Sequence, residues 1–362
     1  MRPSALVLLL AAAPLGAQRA ETYTVPGRAV AIYNLAGEVK IERGTGPAVT
    51  VEVTRQGRDA NKVSVATGAM SGIETLRIVY DGDRIVYPKL TRGRGIDVQV
   101  RKDGRWGSSK MDGSNQTSAW SFGLSWRDRT RISGTGSGIE AWADVVVRVP
   151  DGVKTTIHHA VGTLAMHGVR ASVSIDLASA DANVKDHVGN LMIDGGSGDV
   201  TLVDIEGALD LDLGSGRTEL KQVKASTLRI DSGSGGVSGD QLSVSESLDV
   251  DAGSGRAIFH KLSAKRAKMD LGSGGLEAEF LTNIDDLRID SGSGSVTLYL
   301  PESVGAELDI DTGSGDISSD FPIVAKRTER GHLSGSLGDG KGRISVDAGS
   351  GTVRIRKLVP AR

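Results

Sequence analysis

The chain has 362 residues, a formal net charge of −2 and no cysteine. Without cysteine it cannot form disulfides, thiolate metal sites or thiol nucleophiles, and its near-neutral charge gives no reason to expect a nucleic acid partner. Its 49 glycines and 4% aromatic residues do not suit a conventional aromatic-rich core. They suit a thin solenoid lined with valine, isoleucine and leucine.

Residues 1–17 are typical of a secretory signal peptide. Met1 and Arg2 precede an apolar run at residues 5–15, and the small residues Gly16 and Ala17 follow it. The run is shorter than the roughly 20 residues that cross a bilayer. We therefore expect export to the periplasm, the cell surface or the extracellular space. We expect no transmembrane segment in the mature chain and, without a cysteine near the cleavage site, no lipid anchor.

Residues 18–92 are predicted to form an irregular N-terminal β region. Residues 30–41 fit the repeat described below, with Val30 and Ile32 as inward residues and Tyr33 at a position that later repeats give to aspartate. Further alternating runs follow between residues 49 and 87, but their spacing is irregular. Because terminal repeats of a stack are often atypical, we expect looser or antiparallel β structure here.

Residues 93–138 interrupt the pattern and are predicted to be one inserted loop or hairpin. The segment is rich in glycine, serine and asparagine, carries an excess of positive charge, and contains Trp106, Trp120, Phe122 and Trp126. Loops on a rigid scaffold often bind ligands, and tryptophan beside arginine suits contact with a sugar ring, an anionic polymer or a protein. The alternative is that these rings fold over the open end of the β structure and plug it.

Regular repeats occupy residues 139–362. The clearest is residues 209–216, Leu-Asp-Leu-Asp-Leu-Gly-Ser-Gly, whose central serine has equivalents at intervals of 18 to 21 residues, with one interval of 36. Aliphatic or small apolar residues stand four and six positions before each serine, and an aspartate stands three before it. These aspartates are Asp176, Asp194, Asp212, Asp231, Asp251, Asp270, Asp290, Asp311 and Asp347.

Period-two alternation that recurs about every 20 residues predicts an all-β fold, a parallel β-solenoid or β-helix. Each Leu-x-Ile strand would lie on the equivalent strand of the previous coil, about 4.8 Å away. We expect Gly-Ser-Gly to form a corner of each coil, because glycine permits positive φ at low steric cost. A second short strand, such as residues 200–202, would follow each corner.

Stacked aspartates would repel one another by roughly 1 kcal/mol per neighbouring pair in water, so a compensating interaction is expected. The preferred hypothesis is an Asx-type turn, in which each carboxylate accepts N–H bonds from its own Gly-Ser-Gly corner. A calcium ladder is the alternative. The position after the corner varies among Asp, Arg, Gly, Ser and Thr, which disfavours a metal array. We therefore predict no cofactor, with Ca²⁺ as the alternative.

Four histidines raise a second metal hypothesis. His158, His159 and His167 are close in sequence, His187 lies about one repeat further on, and His158 occupies the aspartate position of its repeat. Histidines without a consistent carboxylate partner do not define a metal site. We predict no metal ligands and no catalytic residues among them.

The C-terminal part departs from the pattern after Phe321. The chain makes an excursion through residues 323–330, returns at residues 333–342 and finishes in a coil at residues 344–355. We expect this coil to end the stack, with Arg354, Arg356 and Lys357 facing water and preventing a sticky edge.

One stretch carries a family resemblance. Residues 300–317 read Leu-Pro-Glu-Ser-Val-Gly-Ala-Glu-Leu-Asp-Ile-Asp-Thr-Gly-Ser-Gly-Asp-Ile, and Ser-Asp-Phe-Pro, the glycine-rich return and the closing Gly-Ser-Gly coil follow. This part resembles the bacterial putative adhesin family, an exported β-strand-repeat domain of unknown function. The resemblance covers most of the mature chain and is weakest over residues 93–138. It implies an all-β, solenoid-like, envelope-associated protein without assigned catalytic residues.

These patterns favour a non-enzymatic interaction module of the cell envelope or surface. Its partner would be a cell-surface glycan or an envelope protein, bound by many weak contacts along a regular face. A structural or envelope-stress regulatory component is the alternative. A polysaccharide-active β-helix enzyme is less favoured, because glycoside cleavage needs two carboxylates set apart by their environment, and here the carboxylates are periodic. The sequence predicts no particular oligomeric state.

Overall fold

A computed structural model of the chain describes residues 20–90, 95–107 and 129–359. These residues form an all-β structure in which most strand pairs are parallel, as the repeat pattern predicts. Most strands belong to one large sheet, and four belong to a small separate sheet. A short 3-10 turn, Ala60–Lys62, lies between two strands. In the described ranges, no helix is both long and apolar enough to cross a membrane.

The strands fall into an N-terminal group, a repeat group and a C-terminal group. The N-terminal strands are β1 (Glu21–Val25), β2 (Ala29–Arg43), β3 (Val49–Gln56), β4 (Val63–Met70), β5 (Ile73–Tyr80), β6 (Arg84–Val86), β7 (Ile96–Gln99), β8 (Arg129–Ser133) and β9 (Ile139–Glu140). The repeat strands are β10 (Trp142–Val149), β11 (Lys154–His167), β12 (Val173–Val188), β13 (Leu191–Ser197), β14 (Val200–Glu206), β15 (Leu209–Ser215), β16 (Thr218–Ser232), β17 (Val237–Ala252), β18 (Ala257–Ala264), β19 (Arg266–Leu271), β20 (Leu276–Phe280), β21 (Asp286–Ser291), β22 (Val296–Leu300), β23 (Ala306–Asp311) and β24 (Ile317–Ser319). The C-terminal strands are β25 (Val324–Glu329), β26 (His332–Leu337), β27 (Gly342–Ala348) and β28 (Val353–Lys357).

Equivalent positions of successive repeats pair directly. Strand β13 is parallel to β15, which places Leu191 beside Leu209. Strand β15 pairs with β16 in the same way, and Leu209 lies beside Leu228. The second strand of each repeat stacks separately, so that Leu202 of β14 lies beside Leu220 of β16. The predicted side-by-side pairing of the Leu-x-Ile segments is therefore confirmed.

The core is a continuous set of aliphatic side chains inside the stack. In β15, Leu209, Leu211 and Leu213 are buried, and the intervening Asp210 and Asp212 are partly exposed. The same alternation recurs in the other repeat strands, and their buried residues form one cluster. Burial of one such side chain contributes about 1.5–3 kcal/mol relative to exposure. Stability therefore depends mainly on stacking one repeat on the next.

The N-terminal strand β2 belongs to this stack. It pairs in parallel with β11, so that Ile32 lies beside Ile157 and Tyr33 beside His158. The prediction that residues 30–41 fit the repeat is therefore confirmed. The neighbouring strand β3 pairs antiparallel with both β1 and β10, and β4 pairs antiparallel with β5.

Tyr80, at the end of β5, connects the antiparallel strands to the stack. Its buried hydroxyl lies 3.1 Å from Asn34 Oδ1 and 3.2 Å from the carbonyl oxygen of Ala36, and it donates towards these two acceptors. Asn34 in turn donates from Nδ2 to the Ala143 carbonyl oxygen at 2.9 Å. This buried network joins β5, β2 and β10.

The glycines of the Gly-Ser-Gly segments are needed mainly because successive backbones approach closely. A β-carbon on Gly235 would overlap the carbonyl oxygen of Gly216 in the preceding segment and lie 3.0 Å from its N and C atoms. A β-carbon on Gly255, Gly274 or Gly294 would likewise overlap the carbonyl oxygen of the equivalent glycine in its preceding segment. Gly216 has a φ of 139°, but the φ of Gly235 lies outside the left-handed region. The positive-φ explanation is therefore wrong for Gly235, where stacked backbones leave no room for a side chain.

The C-terminal repeat lies inside the stack and not at its end. Strand β27 is parallel to β21 on one side and to β23 on the other, and β28 lies between β22 and β24. The hairpin β25–β26 covers the end instead, through antiparallel pairing of β26 with β23. The expectation that residues 344–355 end the stack is therefore wrong. After β24 the chain turns back through the hairpin and returns on the inner side of β23, where Ile344 and Val346 are buried.

Candidate functional site

The predicted aspartates form one continuous row across the stacked strands. Each is a direct register partner of the next, and their spatial order is Asp176, Asp194, Asp212, Asp231, Asp251, Asp270, Asp290, Asp347 and Asp311. We call these nine residues the acidic row. Adjacent strands lie about 4.8 Å apart, so the row places one carboxylate per strand at a nearly constant interval.

The surroundings of the acidic row change along its length. Asp176 is buried, and the members from Asp290 onwards are exposed. Two residues before the row, a flanking column beside its middle contains both signs of charge, in the order Asp210, Arg229, Asp249, Lys268 and Arg288. Within it, Arg229 lies 3.9 Å from Asp231. Beyond Arg288, the flanking column continues with Ser345 and Asp309, beside Asp347 and Asp311 of the row. The flanking column therefore contributes no positive charge next to Asp347 and Asp311.

After Asp251, two of the three amides of the following Gly-Ser-Gly segment do not form the predicted Asx-type turn. The N–H of Gly253 donates to the Ser232 carbonyl oxygen at 2.9 Å, and the N–H of Ser254 donates to that of Gly233 at 3.1 Å. Both acceptors belong to the preceding repeat. These amides therefore bond to the preceding repeat and not to Asp251.

Hydroxyl side chains stabilise several Gly-Ser-Gly segments instead. The residue after the aspartate donates from its hydroxyl to the carbonyl oxygen of the last glycine, as Ser232 does to Gly235 at 3.0 Å. Ser291 makes the same bond to Gly294. These serines are buried, so the bonds also satisfy polar groups inside the stack.

A buried histidine closes one end of the acidic row. His158 is the register partner of Asp176, and its Nδ1 lies 3.0 Å from Asp176 Oδ2, within hydrogen-bond distance. Tyr33 stacks on the imidazole, with ring centroids 4.2 Å apart and planes at 3°. All three side chains are buried. Sequence reasoning placed His158 at the aspartate position but missed its carboxylate partner.

Trp106 covers this buried pair. Its indole packs edge-on against the His158 imidazole, with centroids 5.8 Å apart, and only 7% of the residue is exposed. The next residue, Gly107, packs so closely that a β-carbon would overlap Asp176 Oδ2 and His158 Nδ1. Of the predicted aromatic group, Trp120, Phe122 and Trp126 lie outside the described residues. Ligand contact by this group therefore stays a prediction.

A second histidine closes the other end of the acidic row. His332 lies opposite Asp311 across the antiparallel pair β23–β26, with Nδ1 3.0 Å from Asp311 Oδ2. Asp309 is on the same strand as Asp311 and completes a group whose three ligand atoms lie within 4.8 Å of one another. Among the described residues, this is the one group with metal-binding spacing. No repeat pattern indicates this group in the sequence, because the antiparallel return of β26 follows no repeat.

The histidines considered from sequence do not form such a group in the described part of the chain. His158, His159 and His187 are buried. Burial lowers the pKa of His159 to about 4, and it also lowers the pKa of His187. His159 and His187 are therefore neutral core residues at pH 7.

A groove of about 700 Å³ crosses several repeats at the bend of the second strand stack. Its lining includes Leu281, which is 48% exposed, above buried residues such as Ile205 and Leu242. Its edge carries non-glycine residues with φ between 49° and 59°, namely Asp186, Asp204, Gln222, Gln241 and Lys261. The groove combines polar edges with an apolar floor, an arrangement that suits an extended ligand. Sequence reasoning did not find it.

Comparison with known proteins gives a family match. The family model described as Toastrack DUF4097 matches residues 99–356. A putative cell adhesion protein from Clostridium sporogenes is 12% identical, with a TM-score of 0.19, over 94% of this chain and 99% of that chain. A putative adhesin from Bacteroides fragilis is 13% identical, with a TM-score of 0.23, over 93% of this chain and 96% of that chain. No curated protein matches at a significant level. The resemblance predicted from the sequence is confirmed.

Proposed function

Because the chain belongs to the Toastrack DUF4097 family, we propose that it is a non-enzymatic β-solenoid of the cell envelope or surface that binds a partner along its acidic row. Each repeat of about 20 residues forms one coil, and Gly-Ser-Gly forms one corner of it. The observation that carries this proposal is the direct pairing of equivalent aspartates from one repeat to the next.

The acidic row favours a multivalent partner. A single exposed ion pair contributes about 0–1 kcal/mol, but a partner with cationic groups at a similar spacing would meet several carboxylates at once. This arrangement supports a basic segment of an envelope protein in preference to an uncharged glycan. Contact with a cell-surface glycan is proposed instead for the Trp/Arg-rich insertion at residues 93–138.

Export and the division of the chain are part of the proposal. Residues 1–17 would be removed as a signal peptide, residues 18–92 would begin the stack, and residues 139–362 would supply the regular coils and the C-terminal cap. We expect the protein in the periplasm, on the cell surface or in the medium. N-terminal sequencing of the fractionated protein should give a mature chain that begins near residue 18. A cytoplasmic chain that still starts at Met1 would contradict export.

The binding proposal is tested by removing charge from the middle of the acidic row. The variant Asp251→Asn/Asp270→Asn/Asp290→Asn removes three adjacent charges. The control Asp81→Asn/Asp83→Asn/Asp285→Asn removes the same charge at exposed positions outside the acidic row and the groove. Binding of the mature chain to purified cell envelopes should weaken about tenfold or more in the row variant, and binding by the wild type should weaken with added salt.

Four outcomes would contradict the proposal or move the contact to another part of the chain. Equal losses in the two variants would show that net charge and not the row matters, and unchanged binding in both would remove the row from the interface. Turnover of a polysaccharide by the purified chain would contradict a non-enzymatic role. Glycan binding that disappears in Trp120→Ala/Trp126→Ala but persists in the row variant would assign partner contact to the insertion.

A further inference from the structure

We propose that Asp309, Asp311 and His332 form a binding site for one divalent transition-metal ion of the Zn²⁺ class. The site lies at the C-terminal end of the acidic row, where strand β26 of the cap hairpin pairs with β23. The proposal does not depend on partner binding by the row.

The positions of the three side chains suit a single ion. His332 Nδ1 lies 3.0 Å from Asp311 Oδ2, and one ligand atom from each residue lies within 4.8 Å of the other two. Zinc binds histidine nitrogen and carboxylate oxygen at about 2.0–2.2 Å, so ligand atoms on one tetrahedral ion lie about 3.3 Å apart. Because Asp309 and Asp311 are exposed, small side-chain rotations suffice to close the group around an ion.

The charge around the group favours a cation. In register, Asp347 is next to Asp311, and Ser345 and Ser334 flank Asp309 on its two neighbouring strands. In the described residues, neither Asp309 nor Asp347 forms an ion pair with a basic side chain. Glu329 is the register partner of His332. The group therefore has an excess of negative charge at short range.

Two arginines lie in register with this group, one strand further out on each side, and both are engaged. Arg327, on the far side of Ser334, donates to Glu329 through two 2.9 Å bonds. Arg288, on the far side of Ser345, pairs with Asp286 at 3.1 Å. A metal ion would supply the positive charge that these arginines give to other carboxylates.

The choice of metal class follows from the imidazole. Calcium and magnesium prefer oxygen ligands alone, whereas zinc and its neighbours bind imidazole together with carboxylate. An ion held in this way would tie the cap hairpin to the last coil. Bound metal should therefore stabilise the folded chain by mass action.

The test measures zinc binding by the full chain. After chelator treatment and dialysis, isothermal titration with zinc chloride should give one site per wild-type chain, and zinc should raise the melting temperature. His332→Gln and Asp309→Asn should each weaken zinc binding at least tenfold. His260→Gln is the matched control, because His260 forms an exposed pair with Glu279 at 3.3 Å but has no third ligand, and it should bind zinc like the wild type.

Several results would overturn the proposal. They are an absence of stoichiometric zinc binding, equal affinity in His332→Gln and the wild type, or a loss in His260→Gln as large as that in His332→Gln. The same titration is repeated with calcium chloride in place of zinc chloride. Several equivalents of calcium that bind equally to the wild type and His332→Gln would place the cations along the acidic row and not at this group. Circular dichroism of each variant shows whether it folds. If His332→Gln does not fold, the zinc affinity of Asp309→Asn tests the proposal instead.

Discussion

Replacement of Gly235 by alanine tests why the stack needs glycine. The adjacent Gly236 provides a matched control within the same turn. A β-carbon on Gly235 would overlap the carbonyl oxygen of Gly216, but on Gly236 it would meet only the carbonyl oxygen of Arg256, at 3.6 Å. Neither glycine has a left-handed φ, so steric room and not backbone conformation distinguishes them.

The expected magnitude follows from the hydrogen bonds around Gly235. To restore normal contact with the Gly216 oxygen, the two turns must separate by roughly 1.5 Å. Two flanking bonds are then lost, from Ser234 N to Gly214 O and from Thr218 N to Gly236 O, both 2.9 Å long. At about 1 kcal/mol each, with a penalty for buried groups left unpaired, Gly235→Ala should lower the free energy of unfolding by about 2–4 kcal/mol. Gly236→Ala should change it by less than about 1 kcal/mol.

Urea denaturation followed by far-ultraviolet circular dichroism measures both variants. The midpoint for Gly235→Ala should fall well below that of the wild type, and the midpoint for Gly236→Ala should stay close to it. If the two variants denature at the same urea concentration, the close approach of successive turns is not what requires glycine. The stacking argument would then be refuted.

Three further predictions concern single buried side chains, and urea denaturation measures each of them. Ser232→Ala removes the hydroxyl bond across its turn and should lower the free energy of unfolding by about 1 kcal/mol. Ser234→Ala, at an exposed position, should lower it by less than about 0.5 kcal/mol, and equal losses would contradict the role of the bond. Tyr80→Phe leaves two buried acceptors without their donor and should cost about 1–3 kcal/mol, whereas the partly exposed Tyr299→Phe should be nearly neutral. Because burial lowers the pKa of His159 to about 4, the unfolded chain binds a proton that the folded chain does not. Stability should therefore fall by about 3 kcal/mol as the pH falls from 6.5 towards 4, and His159→Leu should flatten that dependence if the assignment is correct.

Local periodicity was enough to predict the strands and their pairing. Alternation such as that of Leu209 and Leu211 around Asp210 defines which side chains are buried, and a constant repeat length defines which residues become neighbours. These two rules also placed Tyr33 and His158 in the same column as the aspartates. The repeat pattern therefore assigned equivalent positions to the nine aspartates, and the structure places Asp347 between Asp290 and Asp311.

Contacts that depend on a reversal of chain direction could not be predicted in this way. His332 reaches Asp311 through an antiparallel hairpin, and Asp347 precedes Asp311 in space because the final repeat enters between two earlier ones. Neither arrangement leaves a periodic signal. The reason for glycine at Gly235 could not be predicted either. The sequence of a turn indicates which backbone angles it can adopt, but not how close the backbone of the preceding repeat lies.

The enclosed position of the final repeat has a consequence for how the molecule is assembled. Ile289 acquires its neighbour Val346 from a segment that is synthesised 57 residues later. The stack therefore cannot be completed by adding strands in chain order, because β27 must enter between β21 and β23 after both have been made. A chain without β27 would leave β21 and β23 without the strand that pairs with both, so closure of the stack depends on β27.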